Sequence, residues 1–286
     1  MFAWLSTKHT DEREDIRMKM KKLFAVISCT VLSVAMLTGC GLIVDTKNAP
    51  EEASTEATIE SNRTWVIATD TVFKPFEYTN EQGEFVGIDV DILAAIAEDQ
   101  GFSYDLQSIG WDGAVAAVQS GQADAIMAGA TIKEERVEAG WIFSDGYYDA
   151  TQTFVVAVGS DIASFEDLRG QTVAVKNGTA GADFANSLKD EYDLQIIVFD
   201  DSPTMYQDVL LGNSVACVED TPIMAATIKD DGIGLQIPAG MESDGAPYGF
   251  AIMNADNQEL LDMFNAGLKN IRENGMYDSI LDSYLK

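Results

Sequence analysis

Apolar and polar positions fall into short runs that change period along the chain. TWVIAT, at 64–69, is apolar at most positions and predicts a buried strand. DVDILAAIAEDQG, at 89–101, repeats its apolar residues at helical spacing and stops at a glycine, which predicts an amphipathic helix. DGAVAAVQSG (112–121) predicts a second helix and ADAIMAG (123–129) the next strand. Beyond a tyrosine-rich connection, QTFVVAV, QTVAVKNG, LQIIVF and SVACVED predict short strands, with helical segments at 180–190 and 203–212. From 257 to 286, Leu260, Leu261, Phe264, Leu268 and Ile271 keep helical spacing until Asn274-Gly275 breaks the run. Such alternation predicts an α/β fold with helices on both faces of its sheets.

The N-terminus reads differently. Residues 18–40 place lysines ahead of an apolar run, Leu23–Met36, and close on Leu37-Thr38-Gly39-Cys40, the pattern of a secretory signal. The run is short for a membrane span. LTGC resembles the bacterial lipobox, so Cys40 is expected to be acylated and to become the first residue; the alternative is an uncleaved anchor helix. Charge in residues 1–17, ahead of the signal, points to Met18 or Met20 as the start. Residues 1–39 are therefore expected to be leader. Residues 40–63, polar and without hydrophobic period, read as a tether that cannot bury enough apolar surface to order itself. About 220 residues remain from Trp65, enough for one large domain or two lobes.

Charge narrows the chemistry. The whole chain carries -29; without residues 1–39, which hold six of its 18 cations and four of its 47 anions, 12 cations face 43 anions, net -31. That field disfavours nucleic acid and anionic membrane surfaces as partners and makes each remaining cation worth explaining. The one histidine, His9, lies in the leader, so the mature chain has neither a histidine base nor a good transition-metal ligand set. Cys217 is left alone among apolar neighbours and reads as a buried structural thiol. No metal or cofactor is expected.

Seven stretches occur in one order: IATDTVFKPFEY (67–78), FVGIDVDILAAIAE (85–98), WDGAVAAVQSGQADAIMAGATIKEER (111–136), FSDGYY (143–148), TVAVKNGTAGADFA (172–185), EDTP (219–222) and PYGFAI (247–252). Together they resemble the extracytoplasmic solute-binding proteins of ABC importers for polar amino acids (solute-binding protein family 3), above all the glutamine-binding type, over nearly everything from Trp65 to Lys286. The resemblance implies a two-lobed type II periplasmic-binding-protein fold with two hinge crossings. Residues 64–149 and 247–286 would form one lobe and 150–246 the other, with hinges near 147–151 and 245–248 and the ligand held between the lobes.

It also implies site residues, each with a plainer alternative. Arg136 lines up with the family's carboxylate-binding arginine, whose two parallel donors match a carboxylate. By residue type alone it reads as a surface partner of Glu134, Glu135 or Glu138. The Thr131 hydroxyl, the Gly129 carbonyl, Ala128 and free N–H groups at the start of a helix expected over 132–138 would complete the head-group site. Asp220 matches the aspartate that holds the α-ammonium; the alternative is an N-cap for the helix opening at Thr221-Pro222. Phe73 and Trp111 correspond to aromatic walls of the cleft, though either alone reads as core, and Phe76 is assigned to core. Asp70 and Lys176 would face each other across the cleft and together match a carboxamide, unless they simply pair with each other. Thr179 and Ala180 belong to the same ligand set. Ala180 stands where the family often has glycine, Glu219 where the glutamine type can have histidine, and Val137–Ile142 is one residue longer than usual.

The function implied is a lipid-anchored, extracytoplasmic, monomeric binding protein that captures a polar amino acid, glutamine foremost, and passes it to an ABC permease and its ATPase without chemistry. Two alternatives stand beside it: a periplasmic dehydratase-like enzyme using Glu219 or Asp70 as an acid, and a ligand-sensing module.

Overall fold

Residues 63–286 are described in the computed structural model; the leader, Cys40 and the tether up to residue 62 lie outside the described residues. In chain order the elements are β1 (Thr64–Thr69), β2 (Tyr78–Thr79), β3 (Phe85–Val86), α1 (Ile88–Gln100), β4 (Ser103–Ser108), α2 (Trp111–Gln119), β5 (Ala125–Ile126), α3 (Glu134–Glu138), β6 (Ile142–Phe143), β7 (Tyr148–Ala150) and β8 (Gln152–Ala157). Then follow β9 (Thr172–Lys176), α4 (Ala180–Tyr192), β10 (Gln195–Phe199), α5 (Ser202–Leu210), β11 (Ala216–Asp220), α6 (Thr221–Asp231), β12 (Leu235–Gln236), β13 (Ala246–Tyr248), β14 (Ala251–Ile252), α7 (Gln258–Glu273) and α8 (Met276–Leu285).

Two five-stranded sheets organise two lobes. The first has the order β4-β1-β5-β14-β6 and the second β10-β9-β11-β8-β12. In each, three neighbouring strands run parallel (β4, β1, β5 and β10, β9, β11), the next (β14, β8) runs antiparallel to them, and the outermost (β6, β12) pairs antiparallel with that one. Successive residues of a strand point to opposite faces. In the second sheet Val173, Val175, Phe154 and Val218 fill one core, while the residues between them, Ala174, Val155 and Cys217, fill the other. Burial on both faces is why these strands read as unbroken apolar runs. Cys217 is indeed buried.

Between the sheets the chain crosses as a short ribbon, β7 against β13, antiparallel from Tyr148 opposite Tyr248 to Ala150 opposite Ala246. On the first sheet α7 buries Leu260, Leu261, Phe264, Leu268 and Ile271 along one stripe, stacking Phe264 on Phe250 at 4.4 Å. One expectation needs correction, and one strand went unpredicted. The helix expected over 132–138 begins at Glu134, because Lys133 before it is extended (φ -144°, ψ 152°) and the Ile132 N–H pairs with the Pro247 carbonyl at 2.8 Å. Ser103–Ser108, SYDLQS, forms an edge strand that its polar outer positions conceal. Among the described residues, no helix is long and apolar enough to cross a membrane.

Candidate functional site

Four polar side chains meet where parallel strands of the two sheets end. Asp70 follows β1, the 128–131 loop follows β5, Lys176 closes β9 and Asp220 closes β11, so the carboxyl ends of both sheets face one another, the usual ligand side of an α/β sheet. Asp70, Thr131, Arg136, Lys176 and Asp220 are all buried, as are Phe73, Trp111 and Ala128.

Arg136 sits on the short helix α3 and turns inward. Nη1 donates to the Thr131 carbonyl at 2.9 Å, and Nη2 to the Gly178 carbonyl of the second lobe at 3.2 Å. The guanidinium lies over Trp111 (4.9 Å to the ring centroid) and Trp141 (5.1 Å). Among the described residues it forms no ion pair, so the surface pairing with Glu134, Glu135 or Glu138 does not occur. Burial pulls its pKa down to about 10, against the opposing fields of Asp220 and Glu135. A desolvated cation held only by carbonyls and aromatic faces lacks the anion that would complete it.

Asp220 is its counterpart. Gln152 Nε2 donates to Oδ1 at 2.8 Å and the Tyr248 hydroxyl to Oδ2 at 2.6 Å; both donors are neutral. The backbone of Asp220 occupies the N-cap of α6, but its side chain makes no capping bond. Burial first, and then neighbouring Glu219, raise its pKa to about 6, although the Tyr248 and Gln152 bonds and Arg136 act the other way.

Gly129 adopts a left-handed backbone, φ 56°, and a Cβ there would stand 2.3 Å from Phe73 Cε1. Only glycine satisfies both the φ and the close approach of the ring. Its N–H donates to Asp89 Oδ2 at 3.0 Å. Thr131 is bridged to Tyr248. The donors expected at a helix start over 132–138 are therefore partly spoken for, and the five-residue helix beginning at Glu134 lies beyond them.

Asp70 and Lys176 form a buried ion pair across the lobes, as the plainer alternative had it. Asp70 Oδ1 also accepts from the N–H groups of Thr71 (2.7 Å) and Trp111 (3.1 Å). Burial alone would lower the Lys176 pKa; Asp70 overcomes it and the net direction is upward. Thr179 caps α4, accepting from the Ala182 N–H at 3.1 Å and donating to the Lys176 carbonyl at 2.9 Å, and Ala180 opens that helix. Glu219 turns into the second lobe, accepting from Ser202 Oγ (2.7 Å), the Tyr206 hydroxyl (2.7 Å) and the Asp220 N–H (2.9 Å). Further links join the lobes at the rim: Asn177 Nδ2 to Asp112 at 2.9 Å, Lys74 to Asp230 and Asp231 at 3.2 and 3.1 Å, and Lys133 to Asp183.

Sequence reasoning missed Gln152, Tyr248, Trp141 and Asp89. Gln152 opens a buried, mostly apolar strand, and Tyr248 lies in PYGFAI, so a polar group in a buried run was the available signal. Trp141 carried none beyond its residue type.

The family model described as bacterial extracellular solute-binding proteins, family 3, matches residues 65–286. A probable histidine-binding protein of Neisseria gonorrhoeae is 28% identical over 270 residues, 93% of this chain and 96% of that one. An ancestral arginine-binding protein bound to arginine is 33% identical, with TM-score 0.72 over 78% of this chain and 98% of that structure. The second substrate-binding domain of Lactococcus lactis GlnP in open conformation is 40% identical but reaches only TM-score 0.55, over 78% and 95%. That the more identical structure, an open one, fits less well accords with the contacts that bridge the lobes here.

Proposed function

From the premise that this chain belongs to the bacterial extracellular solute-binding proteins, family 3, a type II two-lobed fold, we propose that it captures a polar amino acid, glutamine foremost, between its lobes. One observation carries the reading: Arg136 and Asp220 are opposite charges, both buried, each partnered by neutral groups of the protein rather than by an ion. An α-amino acid supplies a carboxylate for the first and an ammonium for the second. Burying a charge without a counter-ion is costly, so ligand binding and lobe closure stabilise each other. Thr131 and the Gly129 carbonyl complete the head group in this reading, and Phe73 and Trp111 enclose the aliphatic stem.

Asp70 and Lys176 then meet the end of the ligand side chain. An acceptor and a donor suit a primary carboxamide, which offers both an NH₂ and a carbonyl oxygen. Glutamate would set a second carboxylate near Asp70, and arginine or histidinium would bring a cation to Lys176. Two relatives carry histidine or arginine in their names, which makes this choice of side chain the sharpest point to test. Titration calorimetry of the purified chain against the twenty amino acids tests the reading; binding of none of them would end it.

The same proposal extends outward. The protein hands its ligand to an ABC permease and its ATPase, works as a monomer, and is held to the membrane by lipid on Cys40, with residues 1–39 removed and 64–149 plus 247–286 moving against 150–246. Cys40→Ala should leave the membrane fraction, since acylation supplies the anchor; retention there would contradict it. The dehydratase alternative is the weaker one: Asp70 is tied up in an ion pair and Glu219 accepts from three donors.

A further inference from the structure

Behind the head-group loop lies a second polar cluster that touches no cleft surface. Glu77 and Asp89 are buried at 0% and 2% exposure in the first lobe, Glu77 just after the Phe73–Phe76 turn and Asp89 in the first turn of α1. Neither Glu77 oxygen nor Asp89 Oδ1 has a hydrogen-bond donor, and the two carboxyls lie close enough to share a proton. Two buried carboxyls can meet in this way only with a proton between them. Burial, and then the negative field of Asp89, raise Glu77 well above the ordinary glutamic acid; burial also lifts Asp89, to about 6.

The remaining oxygen, Asp89 Oδ2, accepts from two donors of different kinds. One is the Gly129 N–H at 3.0 Å, in the loop that leads to Thr131 and Arg136. The other is the Tyr147 hydroxyl at 2.8 Å, from the residue just before β7, where the chain crosses between lobes. Gly129 needs such a hold: its left-handed backbone lies directly on the Phe73 ring. A carboxylate accepting from a backbone N–H makes one of the stronger hydrogen bonds, and in a dry interior its geometry is well defined.

We propose that Asp89, held by Glu77, is a positioning residue for ligand binding, fixing the Gly129 loop from behind and tying it to Tyr147 at the lobe crossing without touching ligand. This rests on the reading that the 128–131 loop receives the amino-acid head group. The groups around the cluster are Tyr147, the Gly129 amide and, on the cleft side of Glu77, the Asp70 and Lys176 ion pair, so its charge balance is continuous with that of the site.

The experiment measures L-glutamine and L-arginine affinities by calorimetry, together with exchange of the Gly129 amide by NMR in the ligand-free chain. Asp89→Ala should lower affinity at least about tenfold and speed Gly129 exchange by a similar factor in a protein that still folds. Asp89→Asn keeps an acceptor oxygen but not its charge and should give an intermediate loss in both readouts. Asp89→Ala binding within about threefold of the wild type would overturn the proposal. If Asp89→Ala does not fold, Asp89→Asn decides: faster Gly129 exchange with unchanged affinity would also overturn it. Failure of the wild type to bind any of the twenty amino acids would refute the ligand reading instead, while Gly129 exchange would still report the hold of Asp89.

Discussion

Two pairs of opposite charges lie in the cleft, and they are built differently. Asp70 and Lys176 touch, each largely neutralised by the other across the lobes. Arg136 and Asp220 do not: the first faces carbonyls and indole rings, the second a carboxamide and a phenol. A pair in contact can shut a cleft by itself and asks only for a neutral, hydrogen-bonding guest. A pair held apart at buried sites asks for a zwitterion. The contrast separates what any amino acid must satisfy from what distinguishes one amino acid from another.

Breaking the separated pair should have the largest effect. Arg136→Ala is expected to cost about 3 to 5 kcal/mol of binding for every amino acid that the wild type takes, because all share the carboxylate. That is about a hundredfold or more in Kd by calorimetry. A loss below roughly tenfold, about 1.4 kcal/mol, would show that the carboxylate lies elsewhere.

Asp220 provides a graded version through pH. With its carboxyl pushed up to about 6 in the ligand-free protein, an ammonium binds only once the proton has left. Affinity should be flat above neutrality and fall by about tenfold per pH unit below 6. Fold stability without ligand has the opposite sign. A carboxyl raised on folding contributes stability that is present in acid and is lost as pH rises through about 6, and Asp89 adds to the same trend. Ligand should therefore raise the melting temperature most above pH 6; a ligand-induced shift largest at pH 5 would contradict this.

The touching pair governs the smallest effect. Glutamine should exceed glutamate by at least about tenfold, and Asp70→Asn should narrow that gap by relieving repulsion against the second carboxylate. Competition between the two ligands measures both. Tighter binding of glutamate or arginine would remove the assignment of the side-chain end while leaving Arg136 and Asp220 untouched.

Legibility in the sequence followed burial. Strands β8, β9 and β11 of the second sheet, covered on both faces, announce themselves as apolar runs, and α7 shows its stripe through five apolar residues. The edge strand Ser103–Ser108 alternates with exposed polar residues and resembles a loop, while β5, β6, β12 and β14 are two residues each, too short to carry a period. Among candidate site residues, Arg136, Asp220, Asp70 and Lys176 were singled out through the family resemblance, since by residue type alone Arg136 reads as a surface charge and Asp220 as a helix cap. Their partners were not: Gln152, Tyr248 and Trp141 are ordinary residue types until the fold brings them together. Asp89 was the most concealed, because an acid in the first turn of a helix reads as a surface charge favouring the helix dipole, whereas here it faces inward to Gly129, 40 positions away.

The central claim is that Arg136 and Asp220 wait for the two ends of an α-amino acid. The most direct measurement compares L-glutamine with 4-aminobutanamide, which is glutamine without its α-carboxylate, on wild type and on Arg136→Ala by titration calorimetry. The account predicts that the wild type binds glutamine at least about a hundredfold more tightly than the amine, and that Arg136→Ala binds the two almost equally, because losing either partner removes the same interaction. Equal binding of glutamine and 4-aminobutanamide by the wild type would contradict it.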